Sequence, residues 1–225
     1  MSPNRAPRGA AEGADAVRSS GVQPRPRSTA LDPESRSPET EDETAPRLSG
    51  QAVLDSRWAF EEVLGKERVE RALATLPPSI RQVYDETTPL TWVPYSVMRA
   101  VHDAYGREAG QPVEALLDEV VPRAIARSFA TVWRLLLRFT TDAALIARTP
   151  LLYSRTRSQG TMTARVVGPG EGEVTLDGWP SVPDRDIHAL RVSVRAFLEL
   201  AGREGVAVVA ERTADGAVFR VTWKA

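Results

Sequence analysis

The sequence contains no cysteine. This absence excludes disulfide bonds, cysteine-ligated zinc or iron–sulfur sites, and thiol nucleophiles. Histidine is also scarce, because the chain has only His102 and His188. The two lie far apart along the chain, which leaves little for metal coordination or for a catalytic triad. We therefore expect no metal and no other cofactor.

Long apolar runs are missing as well. A membrane-spanning helix needs about 20 consecutive, mostly apolar residues, and no such run exists in this chain. The first residues, MSPNRAPRGAAEGADAV, lack the apolar stretch of a secretory signal. We therefore expect a cytoplasmic protein with no membrane span.

Neither sign of charge dominates. The 225 residues include 29 basic and 30 acidic side chains, for a net charge of −1. A near-neutral chain gives no general reason to bind nucleic acid, so such binding is not expected. Lys66 and Lys224 are the only lysines. The resulting excess of arginine is typical of a GC-rich genome and does not by itself indicate phosphate binding.

The first 50 residues differ in composition from the rest of the chain. They are rich in proline, arginine and acidic residues, and they contain no aromatic residue and no isoleucine. Such a segment buries too little apolar surface to offset the entropy lost on ordering. The sequence therefore predicts a disordered tail over 1–50 and a single domain over 51–225. The tail is either passive, a tether, or a phosphorylated segment with Ser37 as the candidate site.

The periodicity of apolar residues changes from helical to strand-like near residue 150. Before that point, spacings of three and four predict a series of helices, and Pro122 either kinks one helix or starts another. After it, two hairpins flank one more helix, and Asp215-Gly216 is typical of a tight turn. The prediction is an α+β fold with a helical N-terminal half packed on a four-stranded antiparallel β-β-α-β-β sheet. The predicted segments are helices at 51–64, 66–75, 80–84, 94–105, 113–120, 123–139 and 142–150, strands at 161–166 and 174–176, a helix at 184–201, and strands at 206–213 and 217–223.

One predicted helix, over 123–139, carries an arginine face. At 100° per residue, its arginines fall on one side and its large apolar residues on the other. Two interpretations stay open: a solvated face, or a surface that binds nucleic acid or an acidic protein partner. The candidate partner-binding residues are Arg123, Arg127, Arg134 and Arg138.

No pattern of catalytic residues stands out. The glycine string at 168–172 precedes a strand, whereas a phosphate-binding loop must open a helix. There is no G-x-S-x-G nucleophile elbow. Whether the protein is an enzyme is left uncertain, with catalysis the less favoured interpretation.

The segment LLYSRTRSQGTMTARVV, residues 151–167, resembles the part of the heme-NO-binding-like and 4-vinyl-reductase-like superfamily that leads into its sheet. The segments WVPY (92–95) and VWRLLLRFTTDAALIARTP (132–150), the β-β-α-β-β order and Trp223 are similar to uncharacterised myxobacterial, hence bacterial, paralogues of this superfamily. The resemblance covers about 51–225. It implies a sensor-like domain with an α+β fold.

The chain departs from the superfamily at its cofactor sites. Heme members use a Y-x-S-x-R signature against the heme propionates, and Tyr153, Ser154 and Arg157 supply those residue types at a different spacing. They also carry a proximal histidine on a helix before that tyrosine, but residues 122–140 contain no histidine. Other members carry cysteines suited to a metal. The resemblance therefore implies the scaffold without heme or metal.

Two functions from different classes follow. The first is a non-enzymatic small-molecule sensing or signalling interaction module without heme, with a pocket for an apolar or acidic ligand. The second is a binding protein that uses the arginine face on nucleic acid or an acidic protein partner. The sequence does not fix the oligomeric state. The candidate ligand-binding residues are Trp92, Tyr95, Trp133, Tyr153 and Arg157.

Overall fold

A computed structural model describes residues 45–129, 137 and 140–224. Three of the candidate residues, Trp133, Arg134 and Arg138, and most of the proposed tail lie outside this part of the chain. The first described element is a short strand, β1 (Arg47–Ser49), which begins before the predicted domain boundary. It pairs antiparallel with β2 (Trp92–Pro94), and neither strand is evident from the local sequence pattern.

The N-terminal half of the domain is helical, as predicted. Its helices follow the apolar periodicity of the sequence and enclose a core of their own, which includes Phe60, Leu73, Tyr105 and Leu116. The Ser49 side chain accepts a hydrogen bond from the backbone of Ala52 and so caps the first helix. The helices are α1 (Gly50–Leu64), α2 (Lys66–Ala74), α3 (Pro78–Asp85), α4 (Tyr95–Ala109) and α5 (Val113–Ser128).

Helix α5 settles the role of Pro122. The helix continues through this proline, so Pro122 does not start a new one. The helix ends at Ser128, because Phe129 has extended backbone angles (φ −104°, ψ 99°). The prediction of one continuous helix over 123–139 was therefore wrong, and Arg123 and Arg127 belong to the last turns of α5.

Two short helices, α6 (Asp142–Ile146) and α7 (Thr149–Thr156), lead to the sheet. The prediction that the last N-terminal helix ends at Pro150 was wrong. Pro150 lies instead in the first turn of α7, where a missing N–H costs no hydrogen bond.

The C-terminal half has the predicted β-β-α-β-β order. The strands pair antiparallel in the order β3-β4-β6-β5, which confirms the α+β architecture. Apolar residues of β4 and β6, among them Leu176 and Phe219, share one core with the apolar face of the helix that joins the hairpins. The elements are β3 (Thr161–Gly168), β4 (Glu171–Asp177), α8 (Asp184–Leu200), β5 (Ala207–Arg212) and β6 (Ala217–Thr222).

The two halves meet where α5 packs on α8. Arg185 of α8 pairs with Asp103 of α4 at 2.7 Å and with Glu114 of α5 at 3.4 Å, and Arg191 lies 3.4 Å from Asp118. These ion pairs fix α8 against the helical half. Among the described residues, no helix is long and apolar enough to cross a membrane.

Candidate ligand cavity

A cavity of about 1090 Å³ lies between the helical half and the sheet half. Side chains from α1, α4, α5, α7 and α8 line it, and most of them are apolar. Its volume is in the upper range of small-molecule sites in proteins. Apolar wall residues include Met98, Leu117, Val120, Ile125, Leu152, Met162, Leu190, Val194 and Phe197.

Arg157 supplies a cation to the wall of this cavity. It follows the last turn of α7, and its guanidinium lies 5.5 Å from the centre of the Tyr153 ring and donates to Thr156 Oγ1 at 3.2 Å. Among the described residues, no carboxylate lies within 4.0 Å of this guanidinium. Arg157 is half-buried, and a cation that is partly removed from water without a close ion-pair partner is unfavourable. Arg157 is therefore placed to receive an anion.

Asp186, near the start of α8, interacts electrostatically with Arg157. Burial raises the pKa of this carboxyl, while Arg157 and Arg99 act in the opposite direction. Burial likewise raises the pKa of Tyr95 and Tyr153, and Arg157 again opposes the shift. The side chains of Tyr95, Tyr153, Arg157 and Asp186 form one polar cluster in a wall that is mostly apolar.

The two tyrosines of this cluster differ in their hydrogen bonds. Tyr153 donates from its hydroxyl to the Gln159 carbonyl at 2.5 Å. The Tyr95 hydroxyl is buried and makes no hydrogen bond of regular geometry with any described residue, although Arg157 lies close to it. Its ring stacks edge-on against Trp179 at 5.2 Å. Tyr95 thus has unused hydrogen-bonding capacity beside an unpaired cation.

The structure therefore brings together Tyr95, Tyr153 and Arg157 of the five candidate ligand-binding residues. Trp92 lies on β2, is 42% exposed, and is not part of the cavity wall. Trp133 lies outside the described residues.

Helix α4 contributes a cavity-lining face that the sequence analysis did not identify. Tyr95, Met98, Arg99 and His102 follow at spacings of three, four and seven, and all four line the cavity. That spacing was visible in the sequence. Which face of α4 would meet the cavity was not, since this depends on how the helix packs.

His102 is half-buried in this wall and packs against Phe60, with 5.5 Å between ring centres. Its Nε2 atom is covered by protein and has no hydrogen-bond partner among the described residues. Burial, with a contribution from the nearby Arg185, lowers the pKa of His102 to about 4. The imidazole is therefore neutral at physiological pH.

Asp55 on α1 holds the end of α5. This side chain is only 2% exposed, and it accepts hydrogen bonds from Ser128 Oγ at 2.6 Å and from Arg127 Nε at 3.1 Å. The Arg127 guanidinium also lies 4.8 Å from the centre of the Trp58 ring. Arg127, one of the candidate partner-binding residues, thus satisfies a buried acid inside the domain.

Arg123 is the other candidate partner-binding residue that the structure describes. It is exposed, and it donates to the Glu119 carbonyl at 2.7 Å within α5. Of the four arginines expected on one face, the structure describes Arg123 and Arg127. Both are exposed, and Arg127 is also bonded to Asp55 of α1.

The cavity residues differ from those that hold a heme group. The sequence has no histidine between His102 and Tyr153. His102 itself lines the cavity, but its Nε2 lone pair is covered by protein. The Tyr153 hydroxyl is already bonded to Gln159. The described residues therefore do not fit a heme held by an axial histidine and a tyrosine–serine–arginine cluster.

Nor do the described residues suggest another metal centre. Within residues 45–129 and 140–224, no group of three or more histidine, cysteine, aspartate or glutamate side chains is placed to hold a metal ion.

Comparison with known proteins identifies the fold. No family model matches the chain, and no curated protein matches it significantly. Solved H-NOX structures do match, over 79% of this chain. A mutant of T. tengcongensis H-NOX has 14% identity and a TM-score of 0.59 over 98% of its length. Unliganded Fe(II) H-NOX from K. algicida has 12% identity and a TM-score of 0.59 over 97%.

A third match is an oxygen-binding H-NOX domain related to soluble guanylate cyclases, solved as its oxygen complex. It has 14% identity and a TM-score of 0.58 over 96% of its length. Identities this low show shared architecture and nothing finer. The described domain has the H-NOX fold.

Proposed function

We propose that this domain is a non-enzymatic sensing or signalling module that binds an apolar small molecule with an acidic group, without heme. The observation that carries the proposal is the unpaired Arg157 guanidinium at the wall of a large, mostly apolar cavity. The solved proteins of this fold include an oxygen-binding domain, which supports a sensing role for the scaffold.

The chemistry of the wall favours an acidic ligand. A carboxylate accepts two parallel hydrogen bonds from a guanidinium, and such charge-assisted bonds are strong when they are shielded from water. The Tyr95 hydroxyl lies beside Arg157 and is free to donate to the same group. The apolar wall residues would take the rest of the molecule, because burying their surface and the ligand's is favourable.

Binding is a better account of the polar cluster than catalysis. A general acid and a general base need two groups whose environments separate their pKa values. The pKa of the Asp186 carboxyl is raised by burial, and the charge of Arg157 opposes this shift. The cluster is therefore better suited to hold an anionic group beside Arg157 than to transfer a proton.

A ligand carried through purification would test the proposal directly. Native mass spectrometry of the full chain is expected to show a bound adduct, and its dissociation followed by fragmentation is expected to yield an acidic, apolar molecule. The variant Arg157→Gln should lose at least about tenfold in affinity for that molecule, because it loses a charge-assisted bond.

Matched variants separate binding from folding. Arg165 lies on the exposed sheet face and pairs with Glu173 at 2.7 Å, so Arg165→Gln removes the same charge far from the cavity and should bind normally. Arg157→Lys keeps the charge and should bind better than Arg157→Gln. Full affinity in a folded Arg157→Gln protein would overturn the proposal.

The alternative function, an arginine-rich helix face that binds nucleic acid or an acidic protein, has less support. It requires a row of available arginines, but Arg127 is bonded to Asp55 and α5 ends at Ser128. Arg134 and Arg138 lie outside the described residues, so their part in binding nucleic acid or an acidic protein stays a hypothesis.

A further inference from the structure

Helix α7 presents a face to the cavity that combines two cations with two leucines. Arg148 immediately precedes the helix, and Leu151, Leu152 and Arg155 follow at spacings of three, four and seven. All four line the cavity. Residues at these spacings share one side of a helix, so the arginines flank the leucines on a common face.

This face forms a rim between the cavity and solvent. Leu151 is 51% exposed although it lines the cavity, and both arginines beside it are exposed. Among the described residues, neither Arg148 nor Arg155 has a carboxylate within 4.0 Å. Arg185, which also lines the cavity, does have one, because it lies 2.7 Å from Asp103. The rim therefore offers two unpaired cations around an exposed apolar side chain.

Arg157 offers a third, separate cation on the same segment. It lies nine positions after Arg148, which is roughly 13 Å along a helix axis. Between them, α5 and α8 supply apolar wall from Val120, Ile125, Leu190 and Phe197. Arg148 therefore lies at the N-terminal end of α7 and Arg157 at its C-terminal end, with an apolar interior beside the helix. Arg155, in the last turn, belongs with Arg148 to the exposed rim, whereas Arg157 is half-buried.

From this arrangement we infer that the cavity takes an apolar molecule with two anionic groups, as in a long-chain dicarboxylate. One group binds Arg157, with the Tyr95 hydroxyl beside it, and the other binds Arg148 and Arg155 at the rim. The apolar middle of the molecule lies against α5, α8 and Leu152. This inference rests on the proposed function, since it assigns a ligand class to the same cavity.

Two probes of equal length test the assignment. Dodecanoate has one carboxylate and dodecanedioate has two, and isothermal titration calorimetry on the full chain measures both. The diacid is expected to bind about tenfold more tightly, because it forms one more charge-assisted contact. The double variant Arg148→Gln/Arg155→Gln should reduce the affinity for the diacid to that for the monoacid, and leave the monoacid unchanged.

A control pair removes the same charge elsewhere. Arg107 and Arg165 are exposed and do not line the cavity, so Arg107→Gln/Arg165→Gln should bind both probes as the unmodified protein does. Circular dichroism melts of both double variants check that each one folds.

The outcomes distinguish the two proposals. Equal affinity for the two probes, or a rim double variant that keeps the diacid preference, would overturn the two-anion assignment while monoacid binding through Arg157 stands. Binding of neither probe would overturn the assignment as well. The proposed function fails separately, if Arg157→Gln does not weaken the ligand recovered by mass spectrometry.

Discussion

The pKa of an ionisable side chain in this domain depends strongly on its neighbours, and His102 is an example. His102 is an ordinary helix residue in the sequence, yet burial beside Arg185 lowers its pKa to about 4. Asp103, the next residue, acts weakly in the opposite direction. A histidine with a normal pKa near 6.5 in the unfolded chain thus becomes a group that resists protonation in the folded one.

This shift predicts a loss of stability in acid. Between pH 6.5 and 4 the unfolded state binds more protons at His102 than the folded state, so the free energy of unfolding falls as pH falls. The contribution is absent above pH 6.5 and reaches up to about 3 kcal/mol near pH 4. Urea unfolding at pH 7 and at pH 4.5 measures it.

The variant His102→Gln isolates this effect, since glutamine is similar in size and does not titrate. The unmodified protein should lose more stability than His102→Gln between the two pH values. A control for the substitution itself is His188→Gln, because it makes the same change outside the cavity wall, 3.3 Å from Asp118. An identical acid response in His102→Gln and the unmodified protein would contradict the burial argument.

At the scale of elements, the short strand β1 is more important than its three residues suggest. The backbone of Tyr95 donates to the Pro46 carbonyl at 3.0 Å, and that of Ser158 donates to the Arg47 carbonyl at 3.1 Å. Ser49 also caps α1. The strand therefore connects the start of α4 to the segment after α7, and both ends of this connection adjoin the cavity.

A pair of deletions tests this role. Removing residues 1–44 should leave the melting temperature within about 2 °C, whereas removing residues 1–50 should lower it by roughly 5 to 10 °C. The second deletion loses several backbone hydrogen bonds and one helix cap, about 2 to 3 kcal/mol in total. Equal melting temperatures for the two shortened chains would show that β1 contributes nothing to stability.

At the scale of the whole molecule, the H-NOX fold raises the question of whether this domain can bind heme. The scaffold and a cavity between its halves are present, but the described cavity residues do not supply the expected ligands. The imidazole Nε2 of His102 is covered, and the Tyr153 hydroxyl is bonded to the Gln159 carbonyl.

We therefore expect the purified protein to show no Soret absorption band. Added hemin should not give a one-to-one complex that survives gel filtration. An H-NOX protein from T. tengcongensis, treated identically, serves as the positive control. A stoichiometric Soret band would contradict the heme-free proposal, and its loss in His102→Ala would then identify the ligand.

Much of the fold was predictable because its signals are local. The apolar periodicities of α1, α4 and α8, and the turn at Asp215-Gly216, each depend on residues within a few positions of one another. Where local signals were ambiguous, tertiary packing decided: Pro150 starts α7 instead of ending a helix, and β1 forms only because β2 pairs with it.

The sequence by itself thus determined the α+β class, the order of the main elements and the lack of cysteine chemistry, since these depend on composition and short-range pattern. Tyr153 and Arg157 were also identifiable, through a resemblance. Only the tertiary structure decided that Asp55 would engage Arg127, 72 positions away, and that protein would cover the Nε2 atom of His102. The cavity, too, was decided only by the tertiary structure. Its size depends on how α5 packs against α8, and no local sequence pattern encodes the distance between two helices.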